Sequence, residues 1–409
     1  MLLRPVLKII AASLVALLCV SASADSWRLP STETLLSPDK QWRLTIIPKE
    51  LKSQLAYFED KVASRPNAGA VSGKTQQTAL GRMEHLEGGR WKLIWNAPLV
   101  NEVAPVDAVV SSHGWSATFD DWHGVGHGPN VVVIYDEHGH MVRQLALSDI
   151  LPKTYIHVLP SSVSSNMWGG EHHFSADGTQ LILRVVVPTD PMQPGKTDKR
   201  DKIEIALDTA TGKVNPPPSL EWDRAWKVAQ SAHAKVSAEE ARMLAEFKAP
   251  LVAPGEIDES VWYRYVGEAC ARLDPEMESG RLRTAVLGSA ADEDNGNDLQ
   301  RLKDVLDPAD WDSSRERSIF LASPDPQKLV RVVAHLLAKQ ASPPSLTGIR
   351  ICMTLTPDLL DAAAKAISPS GALLIPLDIT RPVPQHPARM KQLEGFMTQW
   401  DDDRLPWAK

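Results

Sequence analysis

A proline-rich segment, Val214-Asn-Pro-Pro-Pro-Ser219, separates two stretches of the chain that have different patterns of apolar residues. Before it, apolar and polar residues alternate in short runs bounded by turn residues, which is typical of strands. After it, apolar residues recur every three or four positions, which is typical of helices. The sequence therefore predicts an α+β protein with an all-β domain over 25–214, a stiff linker over 215–220 and a second part over 221–409.

The first 24 residues have the three parts of a secretory signal peptide. Arg4 and Lys8 supply positive charge, residues 9–20 form an apolar run, and Ala22-Ser-Ala24 matches the cleavage pattern of small residues. We therefore expect an exported protein, periplasmic or extracellular, whose mature chain begins at Asp25. The apolar run is shorter than the roughly 20 residues that span a membrane. We expect no transmembrane segment in the mature chain.

Charge and cysteine content narrow the expected partners and the redox environment. The formal net charge is −7, and removing Arg4 and Lys8 makes it −9. Such an acidic chain is not expected to bind nucleic acid or an anionic membrane surface. Cys270 and Cys352 are the two cysteines of the mature chain. In an oxidising compartment they could form one disulfide, and the alternative is two buried thiols.

Three segments of the predicted β domain share a pattern of a polar turn followed by a strand. The second residue of each segment is a serine: Ser37, Ser111 and Ser175. These serines are 74 and 64 positions apart. Asp and Gly suit these turns because they tolerate the backbone angles required. Later strand pairs flank similar turns, as at Asp136–His140. We expect each segment to form part of a hairpin.

The pattern S-x-D-G followed by a strand, together with I-Y-D-x-x-G, resembles the blade repeats of TolB-like β-propellers over residues 30–214. The resemblance implies a propeller-like fold. Three copies are fewer than the 4–8 blades of closed propellers, so a sandwich or partial barrel of hairpins is the alternative. The family covers binding, scaffolding and enzymatic roles, so the resemblance implies no single function. No family is identified for residues 220–409.

The second part is predicted to contain a helical segment over 221–283 and a small α/β domain with a C-terminal tail over 284–409. Three helices are expected here. The first covers Trp222–Lys235, the second starts at a capping box formed by Ser237 and Glu240, and the third covers Ile257–Leu273. Strands and helices then alternate with short connections, which favours a mostly parallel sheet. The expected strands are 284–287, 318–322, 348–355 and 372–379, and the expected helices are 298–306, 324–339 and 357–367.

Histidine is concentrated in one region, since eight of the 12 lie between His113 and His173. His123 and His127 flank a glycine-rich loop, and His172 and His173 precede the third repeat strand. With Asp120 or Asp121 they could bind zinc, whose water would act as the nucleophile of a metal-dependent hydrolase. The alternative is a set of loop histidines that only form hydrogen bonds. No other cofactor is predicted.

Three tryptophans, Trp115, Trp122 and Trp168, lie near the same loops. Exposed indole rings, with Trp122 and Trp168 as the candidate partner-binding residues, could stack on a sugar or a peptide partner, and the alternative is burial in the core of the β domain. The sequence contains no nucleophile elbow, P-loop or dinucleotide-binding fingerprint. It therefore favours a binding or scaffold protein of the cell envelope that contacts a protein or glycan through Trp122–Asn130. The alternatives are the metal-dependent hydrolase and a sugar-binding module.

Overall fold

The computed structural model describes residues 27–73, 76–162, 164–189, 201–255, 258–278, 281–289, 295–307, 316–338 and 346–397. The signal peptide predicted over 1–24 lies outside these residues, as does the acidic end of the predicted tail. Helices and strands are both abundant, which confirms the mixed α+β class. No helix in the described ranges combines the length and apolar character needed to span a membrane. The chain forms two compact units that join in sequence at Glu240 and Ala241.

The first unit contains three antiparallel sheets, each built from strands that follow one another in sequence. Sheet A consists of β1 (Glu33–Leu36), β2 (Trp42–Ile47), β3 (Leu80–Glu87) and β4 (Arg90–Pro98). Sheet B consists of β5 (Pro105–Val110), β6 (Ser116–Asp121), β7 (Val132–Tyr135) and β8 (Met141–Leu145). Sheet C consists of β9 (His173–Phe174), β10 (Gln180–Val186) and β11 (Lys202–Asp208). Two short helices, α1 (Gln54–Val62) and α2 (Lys153–His157), lie in the connections.

The three repeat segments form equivalent turns, each joining the first and second strands of its sheet. In sheet A, Ser37 Oγ accepts a hydrogen bond from the backbone N–H of Trp42 at 2.9 Å. In sheet B, Ser111 Oγ accepts one from Trp115 N–H at 3.0 Å, and in sheet C Ser175 Oγ accepts one from the Gln180 N–H at 3.0 Å. The serine therefore closes the turn in all three sheets, and the predicted turn-then-strand pattern is confirmed.

Sheet B packs between the other two sheets. One of its faces, which includes Ala108 and Val133, joins a core cluster with Leu44, Met83 and Trp95 of sheet A. The other face, which includes Phe119 and Ile134, joins a cluster with Leu181 and Leu183 of sheet C. Successive side chains of a strand point to opposite faces, so β7 (Val132–Tyr135) contributes to both clusters. Continuous apolar runs in sheet B follow from burial on both faces.

Glycines allow each hairpin to approach the preceding sheet closely. A Cβ atom at Gly139, in the hairpin between β7 and β8, would lie 2.7 Å from the Trp95 ring of sheet A. A Cβ atom at Gly212, after β11, would overlap with Arg143 Cβ of sheet B. Both glycines have positive φ angles, +82° and +65°. The same type of close approach therefore joins sheet B to A and sheet C to B.

Apolar residues alternate along Arg90–Trp95 at the start of β4, but they do not form a single buried face. Trp95 is buried, whereas Leu93 is 49% exposed. The register shifts between Met83 and Glu84, where Met83 pairs with Trp95 and Glu84 pairs with Leu93. This β-bulge leaves one extra residue, Ile94, in β4 and directs Leu93 to the outer face of sheet A.

Helix α3 (Ser219–Lys248) is one continuous helix of 30 residues. The helix start predicted at Ser237 is wrong, because Ser237 lies inside α3 with its hydroxyl 3.4 Å from Nδ1 of His233. A serine in mid-helix can satisfy its hydroxyl locally without starting a new helix. The buried residues Trp222, Ala225, Ala229 and Ala232 keep the helical spacing, and the partly buried Val236 continues it next to Ser237.

The second unit contains one parallel sheet with its strands in sequence order. The strands are β12 (Arg281–Val286), β13 (Glu316–Ala322), β14 (Arg350–Leu355) and β15 (Leu373–Asp378), and every neighbouring pair is parallel. Helices α5 (Asn295–Leu306), α6 (Pro326–Ala338) and α7 (Leu360–Ile367) connect them, while α4 (Glu259–Leu273) precedes and α8 (Pro387–Met397) follows. The predicted mostly parallel α/β sheet is confirmed.

Both faces of this parallel sheet are covered. Ile319 and Met353 join a core cluster with residues of α5, α6 and α7. Phe320 and Cys352, which point the other way, join a second cluster with Trp262 and other residues of α4. Sequential strand order with right-handed crossovers places all three connecting helices on one face, which leaves the opposite face to α4.

A disulfide joins Cys270 of α4 to Cys352 of β14, with a Cα–Cα distance of 6.1 Å. Of the two states that the sequence left open, the structure has the bridge. Both cysteines are fully buried and belong to the same core cluster. The bridge therefore links the helix to the face of the sheet that the helix covers.

The end of α3 is held by a buried arginine of α4. Arg272 donates hydrogen bonds to the carbonyl oxygens of Phe247 at 3.1 Å and Ala249 at 2.6 Å. Its guanidinium also pairs with Glu268, which accepts a second hydrogen bond from Arg389 of α8 at 2.9 Å. The last carbonyls of a helix have no partner within the helix, so Arg272 supplies the cap that α3 needs.

Candidate functional site

The candidate site is the loop Trp122–Asn130, which connects β6 to β7. Two residues at its start have left-handed backbone conformations, Asp120 with φ of +57° and His123 with φ of +68°. Such angles are uncommon outside glycine and persist only where surrounding contacts hold them. The contacts around these two residues therefore decide what the loop can do.

Asp120 connects the first half of the loop to Trp168, in the segment that precedes sheet C. Its side chain accepts hydrogen bonds from the Gly126 N–H at 2.7 Å and from Trp168 Nε1 at 3.0 Å. The residue is 5% exposed. Burial raises the pKa of Asp120 to about 7, helped by the nearby Asp121 and Asp107 carboxylates and opposed by the two hydrogen bonds. Near neutral pH, this carboxyl group is therefore divided between its two protonation states.

Trp168 connects Asp120 to a buried histidine. The Trp168 ring stacks on His172 with centroids 4.8 Å apart, and Phe119 contacts the same imidazole at 4.3 Å. His172 Nδ1 accepts a hydrogen bond from the backbone N–H of Arg184 at 3.2 Å. Burial lowers the pKa of His172 to about 3, with nearby cationic groups acting in the same direction. His172 is thus neutral at physiological pH and carries its proton on Nε2.

Asp121, at the start of the loop, is hydrogen-bonded to Asn130 at its end. One carboxylate oxygen accepts from Asn101 Nδ2 and the other from Asn130 Nδ2, both at 2.8 Å. Asn130 Oδ1 in turn accepts from Gln144 Nε2 of β8 at 2.6 Å. Burial raises the pKa of Asp121, while the two amide hydrogen bonds lower it. Asn130, the last residue of the loop, is therefore tied to the strand that precedes the loop.

His123 lies in a cluster of aromatic rings. Its ring centroid lies 4.9 Å from that of Trp27, 4.7 Å from that of Phe58 and 4.6 Å from that of Trp122. Its Nε2 forms a hydrogen bond with the Gln54 side-chain amide. The sequence reasoning missed Trp27, Gln54 and Phe58, because nothing local connects them to a histidine that lies 65 to 96 positions later.

The structure places the four predicted zinc ligands in separate surroundings. His123 packs in the aromatic cluster and His172 stacks between Phe119 and Trp168. His127 is exposed in the loop and His173 is exposed on β9. Within the described part of the chain, no three His, Cys, Asp or Glu side chains are grouped as metal ligands. Zinc binding by these residues stays a prediction.

The two tryptophans predicted to bind a partner are buried in this structure. Trp168 is 1% exposed and Trp122 is 7% exposed. The Trp122 indole N–H donates to the Arg28 carbonyl at 2.9 Å, and Trp115 is half-buried against the core between sheets B and C. These rings therefore belong to the packed core next to the loop. Direct contact between them and a partner stays a prediction.

The exposed part of the loop is His127-Gly128-Pro129. Gly128 has a φ of +82°, and a Cβ atom added there would meet nothing within 4 Å. The loop therefore combines buried, fixed ends with an open tip of three residues. Such an arrangement can present a preorganised contact to another molecule.

No family model matches the chain, and no curated protein matches it. Among solved structures, it is similar to a europium-containing methanol dehydrogenase at 11% identity, with a TM-score of 0.15. The match covers 33% of this chain and 37% of the other. This chain thus spans little more than a third of that protein, and a likeness at this TM-score carries no argument about fold or function.

Proposed function

We propose that the protein is an exported binding or scaffold protein of the cell envelope that presents the loop Trp122–Asn130 to a protein or glycan partner. The observation that carries the proposal is the contrast within this loop. Buried carboxylates at Asp120 and Asp121 fix its ends, while His127–Pro129 stay exposed. Loops in strained conformations that a rigid scaffold holds in place are typical of binding sites.

The scaffold we propose is an open stack of three sheets with propeller-like or sandwich-like packing. The equivalent serine turns and the repeated glycine approaches support it, because they relate each sheet to the next in the same way. The export that we propose is supported by the pattern of residues 1–24 and by the Cys270–Cys352 bridge, since disulfides persist in oxidising compartments.

Site-specific photo-cross-linking in cells tests the loop directly. A photoreactive residue replaces His127 or Pro129 in turn, and a control replaces His138, which is exposed at the tip of another hairpin of sheet B. We expect discrete adducts from positions 127 and 129 and none from position 138. Protease treatment or glycosidase treatment of the adduct then tells a protein partner from a glycan. Equal labelling from all three positions, or none from the loop, would refute the proposal.

A further inference from the structure

The outer face of sheet A, which the loop site does not use, carries an ordered row of side chains. Cross-strand pairing places side by side, on β1, β2, β3 and β4, the residues Leu36, Arg43, Glu84 and Leu93. Arg43 Nε donates to the Glu84 carboxylate at 2.8 Å, and the Arg43 guanidinium lies 4.3 Å from the Trp91 ring centroid. Leu36 and Leu93 are each 49% exposed. Across the sheet, the row is therefore apolar, cationic, anionic and apolar.

The same face is buried in the other two sheets. Because the serine turns are equivalent, Arg43 in sheet A corresponds to Ser116 in sheet B and to Leu181 in sheet C. Both of these residues are 0% exposed. Val110, the cross-strand partner of Ser116, belongs to the cluster shared with sheet A, and Leu181 belongs to the cluster shared with sheet B. In sheets B and C this face therefore packs on the preceding sheet.

In sheet A this face lies at the end of the stack. Strand β1 (Glu33–Leu36) is the first strand in the described part of the chain, so no earlier sheet of that part precedes sheet A. Sheets that stack face to face lie about 10 Å apart and keep their strands within about 30° of each other. The occupant that continues this packing is another antiparallel sheet, and the row of side chains decides which one.

We propose that the outer face of sheet A packs on the same face of a second copy of this chain. The two-fold axis of this dimer runs along the strands, between β2 and β3. The rotation brings Leu36 of each copy opposite Leu93 of the other copy. It also brings Arg43 of each copy opposite Glu84 of the other. The row is therefore complementary to itself in apolar character and in charge, which is what an isologous interface requires.

The neighbouring row on the same face fits the same axis. It contains Thr34, Thr45, Arg82 and Asn96. The axis sets Arg82 of each copy opposite the Thr45 hydroxyl of the other copy, so the two Arg82 cations do not meet. A two-fold axis across the strands at the first row would instead set Arg43 against Arg43 and Glu84 against Glu84. Charge therefore selects the axis along the strands.

The size of the face determines how strong the dimer is. Four strands about 4.8 Å apart and about six residues long cover roughly 400 Å² on each copy. The total of roughly 800 Å² is less than the roughly 1,200 Å² at which stable interfaces begin. We therefore expect a weak dimer that is half-formed at a protein concentration on the order of 50 µM.

Sedimentation velocity of the mature chain, from about 2 to about 200 µM, tests the dimer. Leu36→Glu and Leu93→Lys should each weaken dimerisation at least about tenfold, because each places a charge opposite an apolar side chain. Met141→Glu is the matched control, since Met141 is 47% exposed on β8 of sheet B, and it should leave dimerisation unchanged. A wild-type chain that stays monomeric over the whole range would overturn the proposal. Dimerisation that neither variant weakens would also overturn it.

Mixing the two variants tests which residues face each other. In a mixed dimer, the glutamate at position 36 of one copy lies opposite the lysine at position 93 of the other copy. We expect the mixture to associate at least about fivefold more tightly than either variant alone. A mixture no tighter than its components would contradict the pairing of positions 36 and 93.

Cross-linking with a short bismaleimide tests the axis independently. The native cysteines are joined in the Cys270–Cys352 bridge, so only introduced thiols react. An equal mixture of the Leu36→Cys and Leu93→Cys variants should give covalent dimers. Either variant alone should not, because the axis holds the two copies of each position at least three strand spacings, about 14 Å, apart. Cross-linking of a single variant as efficient as that of the mixture would refute this axis.

Discussion

The pair Asp120 and His172 predicts an unusual dependence of stability on pH, because the two buried groups act in opposite directions. Burial raises the pKa of Asp120 from 3.8 to about 7, so the folded state binds this proton more tightly than the unfolded state. Stability from Asp120 is therefore complete below pH 3.8 and is lost as the pH rises towards 7. The full effect corresponds to about 4 kcal/mol as an upper limit.

His172 has the opposite sign. Burial lowers its pKa from 6.5 to about 3, so the folded state resists protonation that the unfolded state accepts. The stability linked to neutral His172 is present above pH 6.5 and is lost as the pH falls towards 3. The effect amounts to about 3 kcal/mol between pH 7.5 and 4.5. Over the same interval Asp120 contributes about 3 kcal/mol in the other direction, so the two contributions nearly cancel in the wild type.

Two single substitutions should expose this cancellation. Asp120→Asn keeps an oxygen acceptor for the Gly126 and Trp168 donors and tolerates the positive φ, but it does not titrate. Its free energy of unfolding relative to the wild type should fall by about 3 kcal/mol from pH 7.5 to 4.5. His172→Gln should change by a similar amount with the opposite sign. Asp223→Asn, at an exposed carboxylate on α3, is the matched control and should show no such change.

The assay is urea unfolding followed by tryptophan fluorescence at pH 7.5, 6.0 and 4.5, with the disulfide intact. The quantity compared is the difference in free energy of unfolding between each variant and the wild type at the same pH. A difference for Asp120→Asn that stays constant over the three pH values would refute the reasoning. Shifts of the same sign for both variants would also contradict it.

Three further variants, the first of which changes both cysteines, test the packing. Replacing Cys270 and Cys352 with Ala should cost about 2–5 kcal/mol, as for the removal of other native disulfides, and reductant should then have no further effect on the melting temperature. Arg272→Met should cost about 2–4 kcal/mol, because it uncaps the end of α3 and leaves Glu268 without one of its cations, as measured by chemical denaturation. Gly139→Ala should cost at least about 2 kcal/mol more than Gly88→Ala, which has a similar positive φ but open space around it; equal costs would show that the close approach to Trp95 does not matter.

The parallel sheet of the second unit could be predicted from the sequence because local patterns determine it. The spacing of the apolar residues in this segment identifies α6, and of the face predicted at Leu329, Val332, Val333, Leu336 and Leu337 the structure buries Leu329 and Val333 fully and the others partly. Short connections between strands and helices then allow few arrangements of the sheet. The disulfide could not be predicted in the same way, since the Cα–Cα distance between Cys270 and Cys352 depends on how α4 lies against the sheet.

The loop site could be predicted only in part. The pair Asp120-Asp121 at the end of a strand and the neighbouring histidines mark this loop in the sequence. Their roles depend on partners far along the chain, such as Trp168 for Asp120 and Asn101 for Asp121. Burial and left-handed backbone angles are tertiary properties that composition and spacing do not encode. The β-bulge that turns Leu93 outwards could not be predicted from the sequence for the same reason.

The order of the strands along the chain also bears on how the protein assembles. Each sheet of the first unit is formed by strands that are neighbours in sequence, so each can close soon after its last strand is synthesised. The stack can then grow from the N-terminal side, one sheet at a time. The Cys270–Cys352 bridge spans 82 positions and must wait for β14, the third strand of the parallel sheet. The bridge can therefore form only after every strand of the first unit has been synthesised, and a thiol oxidant that acts before β14 is made would find Cys270 without its native partner.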